Sequence, residues 1–424
     1  MTDATRLASA LNVVIVGHVD HGKSTLIGRM LHETGSLPEG KLEATARACR
    51  EAGREFEFAF LLDALEEERD QGITIDTARI RFRAGRRDCV IIDAPGHKEF
   101  LKNMVSGAAA AEAALLLIDA EEGVQEQSRR HGYLLKLLGI RQIAVVINKM
   151  DLVNYCSDAF GSIRDQYLEF LQQAGIAARF VIPVSASLGD NITMLSDRTP
   201  WYNGPTVLEA LDLFEPRVPR EDAPLRLPVQ DVYKFDRRRI IAGRIESGSI
   251  REGDQIVFSP SGHRGAVKTI ERWQSSRNGA AVAGESIGIT LSEQLFIERG
   301  DIVSHPDDVP TSSRLLQANV FWLGDRHLTP GRGYVLKLAT QEVECQVSSI
   351  SGVLDTSTLA SVGAGASEVA KNEVATVGIE LKKPVAYDSF SGVVETGRFV
   401  IVDDKDVAGG GIITQTDVAH TYQI

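Results

Sequence analysis

Residues 17–25 constrain the fold of this chain more than any other stretch. They read Gly-His-Val-Asp-His-Gly-Lys-Ser-Thr, which matches the spacing G-x-x-x-x-G-K-[ST]. The apolar residues 11–16 before them have the length of a strand, and residues 26–31 after them have the pattern of a helix. Because the strand, loop and helix that this motif requires are all present, the sequence predicts a loop that binds phosphate.

The polar groups of this loop suit an anion. Gly17 and Gly22 allow backbone N–H groups to turn inward, and the following helix adds the positive end of its dipole. Lys23 is expected to reach the β- and γ-phosphates, and the Ser24 hydroxyl is expected to bind Mg²⁺. The alternative, a glycine-rich turn without a ligand, gives the Lys-Ser pair little packing use. The predicted nucleotide contacts of the loop are Gly17, His18, Val19, Asp20, His21, Gly22, Lys23, Ser24 and Thr25.

Length, charge and cysteine content limit the class of protein. A chain of 424 residues exceeds one ordinary core and predicts about two to four domains. The net charge of −12 argues against a protein that wraps nucleic acid through a general basic surface. The four cysteines form no C-x-x-C pair, and the sequence has neither a signal peptide nor an apolar run of about 18 residues. We therefore expect reduced thiols, a cytoplasmic location and no membrane contact.

The first half of the chain alternates predicted strands with predicted helices. The strands are 114–119, 142–148 and 180–184, and the helices between and before them are 98–111, 125–138 and 161–174. Upstream, residues 41–70 predict one or two helices, and residues 78–82 and 89–92 predict two strands. Repeated β–α units imply a doubly wound, mainly parallel sheet of the α/β class.

The residues after 214 follow a different pattern. Residues 215–224 contain three prolines and mixed charges, which are typical of an extended linker. From residue 225 onwards, short alternating runs are separated by glycine-containing turns, which predicts two small antiparallel β-barrels with a boundary near 306–313. We therefore expect a nucleotide-binding domain over residues 1–216 and barrel domains over residues 225–306 and 313–424.

Two further segments carry groups that a γ-phosphate and its metal require. Asp93 directly follows an apolar strand and is expected to hold a magnesium-bound water, while Gly96 offers its N–H to the γ-phosphate. Thr74 is expected to bind the metal through its hydroxyl in a segment ordered by the nucleotide. Taken alone, Asp93 also suits a helix N-cap and Thr74 also suits a strand. The segment predicted to contact the nucleotide is Asp93, Ala94, Pro95, Gly96 and His97.

Base recognition is predicted at the ends of two later strands. The Asp151 carboxylate can accept two N–H bonds from a guanine edge, whereas adenine presents its donor and acceptor in the wrong places. A backbone N–H at Ser185-Ala186 can bind the guanine oxygen, and ligands of doubly wound sheets bind at such strand ends. The predicted base-binding residues are Asn148, Lys149, Met150, Asp151, Ser185 and Ala186.

His97 is the predicted catalytic residue. An imidazole just after the glycine that contacts the γ-phosphate can orient the attacking water, the role that glutamine has in other GTPases. The alternative for this residue is a partly buried histidine that bonds only to the backbone.

With these motifs in place, the sequence resembles the translational-type GTPases of the elongation factor Tu and elongation factor 1-alpha superfamily. The resemblance covers essentially the whole chain and implies a GTPase domain followed by two β-barrels. It implies a P-loop at 17–25, a switch I threonine at Thr74, a D-x-P-G-H switch II motif at 93–97 and base-recognition motifs at 148–151 and 185–186. The implied cofactors are GTP or GDP and Mg²⁺, with Ser24, Thr74 and Asp93 as metal ligands.

Within this superfamily, several stretches are more similar to the GTPase subunit of sulfate adenylyltransferase than to the elongation factors. They are residues 68–76, 128–140, 148–155 and 398–413, although His21 and Ala94 look more like elongation factors. This similarity implies a heterodimer with a separate catalytic subunit that makes adenosine 5′-phosphosulfate from ATP and sulfate. Some relatives carry a fused adenylylsulfate kinase, an activity that we expect this chain to lack.

Three functions therefore remain open at this point. The first is the GTPase subunit of sulfate adenylyltransferase, and the second is a factor that delivers aminoacyl-tRNA. The second requires a basic path for phosphates. The candidate cluster at residues 237–239 is too short to decide this, because such a run is usually a solvated hairpin turn. The third, a GTP-binding scaffold without hydrolysis, is disfavoured by the presence of Thr74 and His97. We expect no DNA partner, and tRNA only in the second case.

Overall fold

The computed structural model describes residues 10–62, 79–85, 87–93, 111–216, 222–235, 238–272, 279–362 and 365–415. Thr74, the segment 94–97 and residues 98–110 of the predicted helix 98–111 lie outside the described residues. Contacts divide the chain into two units, residues 1–217 with Thr356–Leu359, and residues 218–355 with 360–424.

A six-stranded sheet forms the centre of the first unit. Its strands are β1 (Leu11–Gly17), β2 (Arg79–Ala84), β3 (Arg87–Asp93), β4 (Ala113–Asp119), β5 (Gln142–Asn148) and β6 (Phe180–Pro183). Their order across the sheet is β2-β3-β1-β4-β5-β6. Only the β2–β3 pair is antiparallel, and the other four pairs are parallel. This arrangement confirms the predicted α/β class and brings the carboxyl ends of β1, β3, β4, β5 and β6 to one edge.

The central strands are continuous apolar runs rather than alternating ones. Every residue of β4 is buried, and only Gln142 of β5 and Asn12 of β1 are partly exposed. A parallel strand covered on both faces requires this composition, because neither face meets water. Leu115 and Val146 pack in one core with Leu26 and Met30 from the first helix.

Five helices in the described residues have defined bounds. They are α1 (Lys23–Glu33), α2 (Lys41–Glu51), α3 (Glu126–Leu137), α4 (Ser157–Gln173) and α5 (Val207–Leu213). The start of α5 is held by a capping box, in which the Thr206 hydroxyl accepts from Glu209 N and the Glu209 carboxylate accepts from Thr206 N. Within the described residues, no helix is long and apolar enough to cross a membrane.

The second unit contains two closed β-barrels. The first barrel consists of β7 (Leu227–Phe235), β8 (Arg238–Arg244), β10 (Gln255–Ser259), β11 (Arg264–Glu271), β13 (Ser286–Leu291) and β14 (Ile302–Ser304), beside the small pair β9 (Ser249–Arg251) and β12 (Ala280–Val282). The second barrel consists of β15 (Thr311–Trp322), β16 (Gly333–Leu338), β17 (Gln341–Asp355), β18 (Glu373–Tyr387), β19 (Arg398–Asp403) and β20 (Asp406–Gln415). Antiparallel pairing throughout both barrels agrees with the predicted β class of this half.

The barrels contain strand segments that the sequence pattern did not predict. Strand β20 is the clearest case, because its run of three glycines resembles a loop. A Cβ on Gly409 would lie 2.9 Å from the Phe321 carbonyl oxygen, so glycine permits close approach of β20 to β15. Strand β18 is long because its pairing with β15 resumes beyond a bulge between Ser313 and Leu315.

A buried arginine joins the two barrels. Arg226 directly precedes β7, and its guanidinium donates to both carboxylate oxygens of Asp388, at 2.7 and 2.8 Å, immediately after β18. The same guanidinium donates to the Asp308 carbonyl oxygen at 2.8 Å, in the connection between the barrels. The Arg226 side chain is 2% exposed, so this bidentate pair is shielded from solvent.

Candidate nucleotide-binding site

The predicted phosphate loop lies between the end of β1 at Gly17 and the start of α1 at Lys23. Asp20 and Gly22 both have left-handed backbone conformations, with φ of 65° and 85°. A Cβ on Gly22 would clash with the Asn148 side chain, so both the dihedral angle and the available space require glycine there. The local sequence therefore shapes a turn whose following helix presents its N-terminus towards the loop.

Lys23 is held against the loop by backbone carbonyl groups. Its Nζ donates to Gly17 O and to His18 O, both at 2.8 Å. These contacts keep the ammonium group beside the backbone of the loop, where a phosphate would be bound. The predicted contact of Lys23 with the β- and γ-phosphates stays a prediction.

His21 anchors the loop to the neighbouring strand β4. The residue is fully buried. Its Nδ1 lies 3.2 Å from Leu117 O, and its Nε2 lies 3.2 Å from Glu122 Oε2, while its backbone carbonyl accepts from Asn148. The histidine therefore fixes the loop from inside the protein, a contribution that the motif spacing alone does not reveal.

Asn148, at the end of β5, connects the phosphate loop to the base-recognition segments. Its Nδ2 donates to His21 O at 2.9 Å, and its Oδ1 accepts from Ala186 N at 2.9 Å. One amide thus joins three stretches of chain at the carboxyl edge of the sheet. Because its N–H donates to Asn148 Oδ1, Ala186 anchors the base-recognition loop to the end of β5.

Lys149 is paired with a buried carboxylate. Its Nζ lies 2.7 Å from Asp119 Oδ2, and Asp119 also accepts from Glu121 N at 2.8 Å. Burial alone would raise the pKa of Asp119, but the hydrogen bonds from Lys149 and Glu121 outweigh it and lower the pKa. Burial alone would lower the pKa of Lys149, but its bond to Asp119 outweighs this and raises it.

One carboxylate oxygen of Asp151 is buried. Within the described part of the chain, no group donates a hydrogen bond to Asp151 Oδ1. An unpaired buried acceptor costs about 1–3 kcal/mol, which a ligand N–H would offset. The neighbouring Met150 is fully buried and donates its N–H to Val184 O at 3.1 Å, so the backbone that carries Asp151 is fixed.

Two of the three predicted metal ligands, Ser24 and Asp93, lie within the described residues. Ser24 is partly buried in the first turn of α1, and its hydroxyl is an oxygen donor of the kind Mg²⁺ takes. Asp93 ends β3 directly opposite Ile15 of β1, which leads into the phosphate loop. The described residues contain no group of three or more His, Cys, Asp or Glu side chains suited to a metal. Mg²⁺ in nucleotide sites needs only one or two protein oxygens beside phosphates, so these residues fit it.

The structure brings together most of the predicted site. Residues 17–25, 148–151 and 185–186 meet at the carboxyl edge of the sheet through the contacts of Asn148. Thr74, Ala94, Pro95, Gly96 and His97 lie outside the described residues, so their roles stay predictions.

Sequence reasoning missed three side chains near the base-recognition loop, Arg29, Tyr155 and Asp190. Tyr155 OH donates to Asp190 Oδ2 at 2.6 Å, and Arg29 donates to the Ser187 and Leu188 carbonyl oxygens. No motif spacing links the bonded partners, because Tyr155 and Asp190 lie 35 positions apart and Arg29 and Leu188 lie 159 positions apart. A glycine at 189 in a loop otherwise rich in polar residues was the one available signal.

Comparisons with known proteins agree with this geometry. Residues 8–217 match the family model described as the elongation factor Tu GTP binding domain, and residues 315–414 match the GTP-eEF1A C-terminal domain-like model. Elongation factor 1-alpha of Archaeoglobus fulgidus is 39% identical over 95% of this chain and 97% of its own length. Sulfate adenylyltransferase subunit 1 is 37% identical in Aeromonas hydrophila subsp. hydrophila, over 96% of this chain and 86% of the relative. The same subunit of Chromobacterium violaceum is 38% identical, over 96% and 87%.

The fold and the site define a P-loop nucleotide-binding domain followed by β-barrels. The chain belongs to the GTPase superfamily of elongation factor Tu and elongation factor 1-alpha. A GTPase domain of this family implies binding of GTP and GDP. Relatives named elongation factor 1-alpha and relatives named sulfate adenylyltransferase subunit 1 match at similar identity, so identity alone does not separate the two branches.

Proposed function

We propose that residues 17–25, 148–151 and 185–186 bind GTP and that the protein hydrolyses it to GDP and phosphate. The observation that carries this proposal is the buried Asp151 Oδ1, which has no hydrogen-bond donor among the described residues. It lies three positions after Asn148, which ties the phosphate loop to the base-recognition loop. A carboxylate acceptor in this position suits the two N–H groups of a guanine edge. The proposed domains are residues 1–216, 225–306 and 313–424.

The phosphate side of the proposed mechanism relies on fixed positive groups. Lys23 and the backbone N–H groups at the start of α1 bind the β- and γ-phosphates. Ser24, Thr74 and Asp93 would hold Mg²⁺, directly or through water. When bound, this ion neutralises negative charge on the phosphates. His97 orients the water that attacks the γ-phosphorus, so that the β–γ oxygen bridge breaks and GDP leaves.

We further propose that this GTPase is a regulatory subunit that pairs with a separate catalytic subunit of sulfate adenylyltransferase. The two relatives that carry that name support the pairing. Formation of adenosine 5′-phosphosulfate from ATP and sulfate is strongly uphill, and a nucleotide switch that changes shape on hydrolysis can be coupled to it. All four cysteines are free thiols, which suits a cytoplasmic location.

An elongation-type factor that delivers aminoacyl-tRNA is the second candidate. It is supported by the relatives named elongation factor 1-alpha, one of which is 39% identical over 95% of the chain. Arg238 and Arg239 are exposed at the start of β8 and offer a short basic stretch for phosphates. The acidic total of the chain favours the first candidate over this one.

The test is reconstitution of the full chain with a catalytic subunit of bacterial sulfate adenylyltransferase. We expect a stable complex on size-exclusion chromatography and more adenosine 5′-phosphosulfate with GTP than with a non-hydrolysable analogue. An Asp151→Asn chain is the matched control, because it should lose the effect of GTP and regain activity with xanthosine triphosphate. The assignment fails if no complex forms while the GTP-bound chain binds aminoacyl-tRNA with a steep salt dependence.

A further inference from the structure

The base-recognition loop, residues 185–191, is held from two opposite directions. We propose that Arg29 and Tyr155 are positioning residues that hold this loop so that one of its backbone N–H groups meets the 6-oxo group of a purine. The inference rests on the proposed guanine site. It assigns specificity to two side chains that belong to neither the phosphate motif nor the base motifs.

Arg29 reaches the loop from helix α1, which begins in the phosphate loop. Its Nη1 donates to Ser187 O at 3.2 Å, and its Nη2 donates to Leu188 O at 3.1 Å. Its Nε donates to Glu33 one turn later, and the guanidinium lies 4.7 Å from the centre of the Phe58 ring. A planar fork with donors on two edges is needed for this arrangement, and lysine cannot reproduce it.

The loop itself is shaped to accept this guanidinium. Gly189 has a φ of 86°, and a Cβ at that position would clash with Arg29 Nη2. Glu33, which accepts from Arg29 Nε, also accepts from Thr193 Oγ1 at 2.7 Å. Arg29 therefore connects the helix that follows the phosphate loop with both the base-recognition loop and the residues just beyond it.

Tyr155 holds the far side of the loop. Its hydroxyl donates to Asp190 Oδ2 at 2.6 Å, and Ser196 Oγ donates to Asp190 Oδ1 at 2.6 Å. Arg198 Nη1 lies 3.1 Å from both the Tyr155 hydroxyl and Asp190 Oδ2. Burial alone would raise the pKa of Asp190, but the bonds from Ser196, Tyr155 and Arg198 outweigh it and lower the pKa, so Asp190 stays an acceptor.

The tyrosine is itself fixed relative to Asp151. It closes a series of tight turns in which its N–H donates to Met150 O at 2.8 Å, and its carbonyl accepts from Trp201 Nε1 at 3.0 Å. Its φ of 53° belongs to the left-handed region, which the surrounding bonds must stabilise. The Tyr155–Asp190 bond thus sets the separation between the segment carrying Asp151 and the base-recognition loop.

The chemistry of purines separates the roles of the two segments. Guanine and hypoxanthine both carry a 6-oxo acceptor, whereas adenine carries a 6-amino donor that opposes backbone N–H groups. Only guanine carries the 2-amino group that a carboxylate at Asp151 can bind. Loosening the loop should therefore weaken the binding of GDP and IDP by the same factor, so that the ratio of their affinities is unchanged. It should also reduce the preference for GDP over ADP.

The experiment measures dissociation constants of the full chain for GDP, IDP and ADP by isothermal titration calorimetry. Arg29→Lys and Tyr155→Phe are each expected to weaken GDP and IDP about tenfold, the effect of losing one or two net hydrogen bonds. Asp151→Asn should instead raise the IDP to GDP affinity ratio. Arg47→Lys on the exposed face of α2 and Tyr133→Phe on α3 are the matched controls and should bind like the wild type.

Three results would overturn the inference. The first is unchanged GDP affinity in both variants, and the second is a changed IDP to GDP ratio in either. The third concerns Asp190→Asn, which supplies the same test if the melting temperatures of both variants fall further below the wild-type value than those of the controls do. Normal GDP binding by Asp190→Asn would then overturn the role of Tyr155. A wild-type chain that binds no GDP at millimolar concentration would instead refute the proposed guanine site itself, which is a separate and recognisable failure.

Discussion

At the scale of single residues, the site depends on polar atoms whose partners are supplied by a ligand or by distant parts of the chain. Asp151 Oδ1 is buried without a donor in the described residues, while both functional ends of the Asn148 amide are bonded within the protein. Asp151 is therefore free to recognise the base, whereas Asn148 holds the loops of the site in place. Changing Asp151 should therefore alter which base is bound, and changing Asn148 should disturb the whole site.

Asp151→Asn is expected to shift the preference from guanosine to xanthosine triphosphate. The substitution replaces an acceptor with an amide that can donate to the 2-oxo group of xanthine. Competition between the two nucleotides for binding to the wild type and the variant measures the shift. An unchanged preference for guanine would show that Asp151 does not read the base.

His97→Ala is expected to leave the affinities for GTP and GDP unchanged and to slow hydrolysis about hundredfold. The loss corresponds to about 3 kcal/mol of barrier, the order found when one transition-state contact is removed. Single-turnover hydrolysis of radiolabelled GTP measures it. His327→Ala, an exposed histidine of the second barrel, is the control and should hydrolyse normally. Normal hydrolysis by the His97 variant would exclude the proposed role.

At the scale of secondary-structure elements, strands β4 and β5 end side by side and carry an ion pair across their ends. Asp119 is the last residue of β4, and Lys149 follows the last residue of β5. Asp119 pairs in register with Asn148, which places its carboxylate against the segment that reads the base. The side chain of Asp119 is 2% exposed and that of Lys149 is 31% exposed, so the carboxylate is buried while the ammonium group remains partly open to solvent.

This ion pair predicts a defined pH dependence of stability. The folded-state pKa of Asp119 lies below its ordinary value of 3.8, so the stabilisation is present above 3.8 and is lost as pH falls through the folded-state pKa. The folded-state pKa of Lys149 lies above 10.5, so its contribution is lost only as pH rises through that higher value. We expect the wild type to exceed Asp119→Asn in free energy of unfolding by a constant amount between about pH 5 and about pH 10.

Denaturant unfolding of both proteins at a series of pH values measures this difference. It should shrink as the pH falls below 3.8, because the carboxylate of the unfolded chain then takes up a proton while the folded carboxylate, with its lower pKa, is still ionised. The double variant Asp119→Asn with Lys149→Met is the control and should show no pH-dependent coupling between the two positions. A difference between wild type and Asp119→Asn that does not vary down to the acid limit would contradict the pKa assignment.

At the scale of the whole molecule, the described barrels are joined through one buried guanidinium. Arg226 bonds to Asp388 in the second barrel and to Asp308 in the connection, and Thr396 Oγ1 also donates to Asp388. Removing one partner of a buried ion pair lowers the free energy of unfolding, because the remaining charge is left buried without compensation. The two barrels should therefore unfold together.

Arg226→Met is expected to lower the free energy of unfolding by about 3–5 kcal/mol, because it leaves the Asp388 carboxylate without its cation. Adding Asp388→Leu should restore most of the loss. The exposed pair of Arg326 with Asp404 provides the control, and Arg326→Met should cost less than about 1 kcal/mol. Urea denaturation followed by intrinsic fluorescence measures all three. Equal effects of Arg226→Met and Arg326→Met would contradict the role of the buried pair.

Much of this architecture was predictable from local sequence. The turn at Gly22 and the apolar runs of β1, β4 and β5 were all predictable because each depends on residues close together in the chain. The bulges in β15 and β18 and the glycine-rich strand β20 were not, since their pairing depends on the closed barrel rather than on their own pattern. Local β-propensity predicts a strand poorly where packing against neighbouring strands determines the pairing.

The amino-acid sequence alone determined that this chain has a phosphate loop, a parallel sheet and two β-rich domains. Only the tertiary structure decided which distant side chains hold the nucleotide site and the two barrels together. Asn148 bonds to His21 across 127 positions, Arg29 reaches Leu188 across 159, and Arg226 reaches Asp388 across 162. The physical reason is that a hydrogen bond between distant residues forms only after folding has closed the intervening chain, and no local periodicity records where that chain will meet.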